Sequence, residues 1–241
     1  MMNKIKDTGK NFPNTITCLN LFTGCIAVWL AFQGNYAGAM LAILLSGVFD
    51  FFDGLAARAL NAYSPLGKEL DSLADVISFG LAPGAIVFSL LSESSVNEYA
   101  RFAAFLIPVF SALRLAKFNI DERQTSSFIG LPVPANAIFW AGMAYSYSGF
   151  LMENPLILLG LTVLFCFLMV SELPMFSLKF SGLSWNSSSV QYVFLTGCAL
   201  ILLVLQLNAP AAVIAWYIVL SIGLFVVKKA PSNSSKGKEK G

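Results

Sequence analysis

Residues 50–75 read DFFDGLAARALNAYSPLGKELDSLAD, and this stretch decides how the rest of the chain is understood. Asp50 and Asp53 stand three apart, and Asp71 and Asp75 four apart, so on helices each pair projects from a single face. Between the pairs, Asn61 and Ser64 suit a turn or cap, and Pro65 suits the first position of a new helix. In an antiparallel hairpin folded about Ala62, Asp53 and Asp71 are each nine residues from the turn. Asp50 and Asp75, twelve and thirteen residues away, lie about one turn deeper. The segment therefore predicts two facing helices that gather four carboxylates into one small volume.

Outward from this hairpin the chain is strongly apolar. Of its 241 residues 57% are hydrophobic and only 12% charged, and the mean hydropathy is +0.73. That composition does not describe a soluble surface. Apolar segments near the 20 residues needed to cross a bilayer fall at about 13–33, 36–60, 66–92, 97–118, 132–150, 154–172, 189–206 and 210–228. The fold class expected is an all-α, polytopic membrane bundle of about eight spans.

Basic residues are retained on the cytoplasmic side of short loops. Lys4, Lys6 and Lys10 precede the first segment, and Arg58 and Lys68 flank the second connection. Arg114, Lys117 and Arg123 mark the fourth connection, Lys179 the sixth, and Lys228, Lys229, Lys236, Lys238 and Lys240 follow the last segment. Fourteen of the fifteen basic residues thus lie on one alternating set of connections, with Arg101 the exception. Both termini are expected in the cytoplasm. The first segment lacks a small-residue cleavage site and is read as retained. The tail from Pro231 has nothing apolar to bury and is expected to be disordered.

Several function classes are excluded at this stage. A net charge of +2 with scattered cations does not make a nucleic-acid surface. The chain has no histidine, which removes Ser-His-Asp and Cys-His triads and His-based zinc sites. Cys18, Cys25, Cys166 and Cys198 are isolated in apolar sequence and read as small buried hydrophobes. Any catalyst must rely on carboxylates, lysine, tyrosine or a bound metal.

Ionisable residues inside apolar spans are costly and point to function. Four bare carboxylates cannot share a small volume without raised pKa values or cations. Oxygen-only donors select hard divalent ions, so Mg²⁺ or Mn²⁺ is expected, as one ion or as a pair bridged by a shared carboxylate. Gly54, Ala57 and Gly67 keep the neighbouring helix surfaces small enough for a bulky polar ligand, and Arg58 offers a forked cation for a phosphate oxygen. Together these read as a pyrophosphate site. The competing reading is an internal salt-bridge network, or a proton path in a transporter, with Arg58, Lys68 and Glu69 neutralising the acids.

The pattern Asp50-x2-Asp53-Gly54-x2-Ala57-Arg58-x8-Gly67-x3-Asp71-x3-Asp75 resembles, without gaps, the signature of the CDP-alcohol phosphotransferase family. That resemblance implies a six-helix membrane core, here residues 13–180, which transfers a phosphatidyl-type group from a CDP-linked lipid to an alcohol and releases CMP. Residues 1–12 would be a cytoplasmic segment, 189–228 two additional helices and 229–241 a basic tail. Asp71-Ser72-Leu73-Ala74-Asp75, Phe79-Gly80-Leu81-Ala82-Pro83, Arg114-Leu115-Ala116-Lys117-Phe118-Asn119 and Gly130-Leu131-Pro132-Val133-Pro134 resemble the membrane-embedded members that use serine as the alcohol.

By the same resemblance, Asp50, Asp53, Asp71 and Asp75 are the metal ligands and Asp75 is also the general base. Gly54, Ala57, Arg58 and Gly67 line the CDP-lipid cleft. Pro13-Asn14-x2-Thr17-x2-Asn20 resembles a family element at the start of the first span, so Asn14 and Thr17 join the CDP-lipid residues, although Asn14 also suits a helix N-cap. Arg114 and Lys117 are candidates for the acceptor carboxylate, and equally for topology or lipid phosphates. The implied reaction is attack of the serine hydroxyl on the lipid-side phosphorus of CDP-diacylglycerol, giving phosphatidylserine and CMP, in the bacterial cytoplasmic membrane and as a homodimer. A sister enzyme using glycerol phosphate, inositol phosphate or choline, and a transporter, remain as alternatives.

Overall fold

The computed structural model describes residues 2–121, 128–177 and 185–229, and the side chains of 12–121, 129–177 and 188–227. Arg123, Lys179, the tail from Pro231 and the side chains of Lys4, Lys6, Lys10, Lys228 and Lys229 lie outside these ranges, so the expectations placed on them do too. Among the described residues each of the eight apolar segments is helical. The helices are α1 (Met2–Phe32), α2 (Tyr36–Ala59), α3 (Pro65–Asp75), α4 (Ala82–Ser92), α5 (Leu106–Ile120), α6 (Val133–Glu153), α7 (Pro155–Val170), α8 (Trp185–Leu205) and α9 (Ala209–Lys229).

Five stretches among the described residues are long and apolar enough to cross a membrane: Phe12–Phe32, Tyr36–Ala59, Pro65–Ser92, Ala100–Ile120 and Ser188–Val227. The protein is an all-α integral membrane protein. One short antiparallel pairing, β1 (Phe128–Ile129) with β2 (Pro174–Met175), ties the connection before α6 to the segment after α7.

Boundaries differ from the sequence expectation where local chemistry intervenes. α1 starts at Met2 rather than near residue 13, so Pro13 and Asn14 lie inside a helix and Asn14 is not an N-cap. The third segment is one rod in which a π-helical turn, Val76–Leu81, joins α3 to α4 directly below Asp75. Such turns interrupt the regular i to i−4 ladder and recur at functional sites. The fourth segment enters through a 3₁₀ turn, Ala100–Phe105.

Without a hydrophobic force between helices in lipid, close approach of small residues and buried hydrogen bonds hold the bundle. α1 and α2 meet through Ala27, Ala31, Ala39 and Ser46, all fully buried, and the hydroxyls of Thr23 and Ser46 are hydrogen-bonded at 2.7 Å. The Asn20 carbonyl accepts from Ser78 Oγ at 3.0 Å, anchoring the π turn on α1. A Cβ on Gly24 would stand 2.8 Å from Ser78 Cα, so only glycine permits that contact. The Pro65–Ser92 rod is the most buried of the five long apolar stretches and forms the centre of the bundle.

The α2–α3 turn follows its sequence chemistry. Asn61 adopts a positive φ of 49°, while Ala62 N donates to Ala57 O at 2.9 Å and Asn61 N to Arg58 O at 3.3 Å. This is a Schellman closure with Asn in the left-handed position. Ser64 Oγ then accepts from Gly67 N at 3.0 Å, capping α3 with Pro65 in its first turn. The turn inferred from Asn61, Ser64 and Pro65 is therefore present; α2 and α3 both pack on α1 rather than closely on each other, and Asp50, Asp53 and Asp71 approach across the gap between them.

Candidate active site

Three of the four aspartates converge. Asp50 and Asp53 on α2 and Asp71 on α3 each place a carboxylate oxygen within 4.8 Å of the others. Asp53 Oδ2 and Asp71 Oδ1 are buried and have no hydrogen-bond partner among the described residues. Buried anionic oxygens without donors are strongly disfavoured unless a cation meets them. Oxygen-only donors at this spacing fit a hard divalent ion such as Mg²⁺ or Mn²⁺.

Asp75 lies one turn deeper, outside that three-oxygen group but within electrostatic range of all three carboxylates. It is only 8% exposed. Its Oδ1 accepts a long hydrogen bond from Asn20 Nδ2 at 3.4 Å, and Asn20 is itself fully buried. The α1 element thus contacts the acidic helix through Asn20.

A cleft of about 490 Å³ opens against this cluster. Asn14 and Thr17 line it from α1, Asp53, Gly54 and Ala57 from α2, and Gly67 and Asp71 from α3. Every small position singled out in the sequence therefore faces the same space. At Gly67 the fit is tight, because a Cβ there would stand 2.9 Å from Asn14 Oδ1 and 3.1 Å from Ser64 Oγ. Thr17 is buried, donates to Pro13 O at 3.1 Å and lies against the Asp53 carboxylate.

Arg58 is exposed, with Nη2 3.9 Å from the position of a Cβ on Gly54, which places the guanidinium beside the cleft wall. Lys68 and Tyr63 also line the cleft although neither was assigned to it from the sequence. The available signal was Lys68's place next to Gly67 at the start of α3. Its Nζ donates to Asn119 O at 3.1 Å, and Asn119 Nδ2 donates to Ser72 Oγ at 2.8 Å, joining α3 to the end of α5. A second, apolar recess of about 330 Å³ lies between α2 and α6, floored by Phe79 and reaching Asp50.

The two basic acceptor candidates part company. Lys117 forms an exposed ion pair with Glu172 at 2.6 Å. Arg114 is only 3% exposed, and its Nε has no hydrogen-bond partner among the described residues. Its guanidinium lies 5.2 Å from the Phe118 ring centroid, and its electrostatic neighbours are Tyr217 and Asp121 rather than the aspartate cluster. Of the cysteines, Cys166 and Cys198 are buried as expected, whereas Cys18 and Cys25 are exposed on α1.

The fold and the site define a polytopic membrane protein whose carboxylate cluster can hold a divalent cation at the wall of a small-residue cleft. Residues 10–176 match the family described as CDP-alcohol phosphatidyltransferase, and the chain belongs to that family, whose members generally depend on divalent metal. A Bacillus subtilis protein named CDP-diacylglycerol–serine O-phosphatidyltransferase is 37% identical over 161 residues, covering 67% of this chain and 87% of that protein. A Methanocaldococcus jannaschii protein of the same name is 36% identical over 150 residues, 62% of this chain and 68% of its own length. One from Helicobacter pylori is 36% identical over 129 residues, 53% of this chain, and there the match spans 54% of the relative.

Proposed function

We propose that this chain transfers the phosphatidyl group of CDP-diacylglycerol to the hydroxyl of L-serine, forming phosphatidylserine and CMP. The observation that carries the reading is the three-carboxylate group of Asp50, Asp53 and Asp71, two of whose members, Asp53 and Asp71, line a cleft walled by the small residues Gly54, Ala57 and Gly67. The names of the relatives supply the acceptor.

Asp50, Asp53 and Asp71 would hold Mg²⁺ or Mn²⁺, one ion or two, with Asp75 adding charge and completing the set. When bound, the metal neutralises phosphate charge and favours departure of CMP. The chain's own groups do the rest. Gly54, Ala57 and Gly67 let the nucleotide approach the helix backbones, Asn14 and Thr17 offer polar contacts, and Arg58 offers two parallel donors to phosphate.

Asp75 takes the proton of the serine hydroxyl as the new O–P bond forms and the P–O bond to CMP breaks. Asn20 holds one Asp75 oxygen and so orients the other. A free carboxylate is a weak base for an alcohol, so positioning and local electrostatics supply most of the rate. Arg114 and Lys117 are the candidates for the serine carboxylate, Lys117 with the lesser part because it is already paired with Glu172. The acyl chains stay in the bilayer and reach the site laterally, a route to which the α2–α6 recess beside Asp50 is suited.

The same reading places both termini in the cytoplasm of a bacterium, treats residues 13–180 as the catalytic core, and expects a homodimer. The test is purified protein in detergent with CDP-diacylglycerol, Mg²⁺ or Mn²⁺ and a panel of alcohols, following CMP. Release dependent on serine and metal is the expected result. No CMP with any alcohol would sink the enzyme reading, and release with inositol phosphate but not serine would replace the acceptor. Cross-linking in native membranes reads the dimer.

A further inference from the structure

One face of α3 and its cap is turned to the cleft. Ser64, Gly67, Lys68 and Asp71 all line it, and they are spaced i, i+3, i+4 and i+7, the spacing of a single helical face. Lys68 is the one cation among the described residues that line this space, and it stands one turn before Asp71. Arg58, on α2, lies beside the cleft wall without lining it.

Lys68 is in neither of the ion pairs formed among the described residues. Its Nζ donates instead to the main-chain oxygen of Asn119, at 3.1 Å. A carbonyl steadies an ammonium without neutralising it, and an ammonium carries three donors, so charge and two donors remain for a ligand. Asn119 is itself fixed to α3, because its Nδ2 donates to Ser72 Oγ at 2.8 Å, and Ser72 Oγ donates to Lys68 O at 3.3 Å. These three hydrogen bonds close a ring that fastens the end of α5 to the Lys68 turn. The flexible lysine stem is restrained at its tip, which lowers the ordering entropy that a ligand contact would otherwise cost.

We infer that Lys68 is a substrate-binding residue for the diphosphate of the CDP-linked lipid, and that Asn119 is a positioning residue that holds it at the cleft. This rests on the proposed use of a CDP-lipid. It adds a cation from α3 to Arg58 on α2, and it ties the nucleotide cleft to α5, the helix that carries the acceptor candidates.

The test uses the full chain purified in detergent, with CDP as the probe. Thermal unfolding is followed in Mg²⁺ while CDP is titrated, and CMP release is measured with CDP-diacylglycerol and serine varied in turn. Lys68→Gln should need about tenfold more CDP for the same stabilisation, the loss of one hydrogen bond from a charged group. Its KM for CDP-diacylglycerol should rise by about the same factor, with the serine KM within about twofold. Lys68 is exposed, so the midpoint without CDP should hold. Asn119→Ala removes the bond to Ser72 but keeps the main-chain oxygen, and should weaken the CDP response about threefold. Added to Lys68→Gln it should weaken that response no further, because Asn119 acts through Lys68.

An unchanged CDP response in Lys68→Gln, a lower midpoint without CDP in that variant, a rise in the serine KM in place of the CDP-diacylglycerol KM, or an Asn119→Ala effect that adds in full to Lys68→Gln would each overturn the proposal. The expected CDP responses without CMP release from the wild type would overturn the transfer reaction and leave the binding role of Lys68 standing.

Discussion

Asp53→Asn separates a metal site from a salt-bridge network, because the two predict opposite changes in stability. The change preserves shape and removes one charge from a group whose three carboxylate oxygens lie within 4.8 Å of one another. At that separation and an effective dielectric of about 20, each charge pair carries roughly 3.5 kcal/mol of repulsion. Asp53 takes part in two of the three pairs, and its buried Oδ2 has no donor to lose among the described residues. Solvent and relaxation absorb most of that repulsion, so the metal-free variant should gain about 1–2 kcal/mol rather than the full sum.

With metal present the sign reverses. Wild type at a metal concentration of about 100 times its Kd gains about 2.7 kcal/mol from binding, and the variant should lose most of that gain together with CMP release. The assay is the unfolding midpoint in detergent with EDTA, then with Mg²⁺ or Mn²⁺, beside CMP release on the same samples. If Asp53→Asn lowers the midpoint in EDTA and keeps the metal-dependent rise, Asp53 is a partner in a structural network and the metal reasoning fails.

Three further outcomes follow from the geometry. Gly67→Ala adds a methyl 2.9 Å from Asn14 Oδ1 at the cleft wall; helix propensity favours Ala by about 0.5–1 kcal/mol, so the midpoint should hold while the KM for CDP-diacylglycerol rises about tenfold, and an unchanged KM counts against this cleft as the nucleotide site. Asp75→Asn keeps an acceptor oxygen for Asn20, so CDP-lipid binding should persist while turnover falls by at least about a hundredfold; retained turnover removes Asp75 as the base. Gly142→Ala drives a Cβ against the Ala211 backbone at 2.5 Å and should destabilise the protein by about 1–3 kcal/mol, seen as a lower midpoint, and an unchanged midpoint would show that α9 yields easily.

Much of the hairpin could be read directly, because its determinants are local. Asn61 in the left-handed position, Ser64 capping Gly67 and Pro65 opening α3 each act within four residues, and helical spacing alone aligns Asp50 with Asp53. The depth match of Asp53 and Asp71 needed only the turn's position. By contrast, the π turn after Asp75 follows from contacts of Ser78 with Asn20 on α1, a partner 58 residues away, and Lys117 and Arg114 differ in fate although three residues apart. Lys117 meets Glu172 at the surface and Arg114 is buried with its guanidinium over the Phe118 ring. Both are cations on one face of α5, and what separates them is depth in the bundle: Lys117 lies one turn nearer the helix end, within reach of Glu172, whereas Arg114 is enclosed.

A membrane-embedded helical protein without histidine, four aspartates flanking one turn with oxygen-only chemistry, and small residues beside them are all legible from the chain's residues. These are properties of composition, helical period and turn residues, which do not depend on distant partners. Other features follow only from the tertiary structure: Asp75 stands apart from the three-oxygen group, Asn20 reaches it, Lys68 lines the cleft, and α9 packs tightly on α6 at Gly142. Each of those depends on how helices far apart in the chain rotate and cross, which is settled by close packing at positions such as Gly24 and Gly142 and by buried hydrogen bonds between helices.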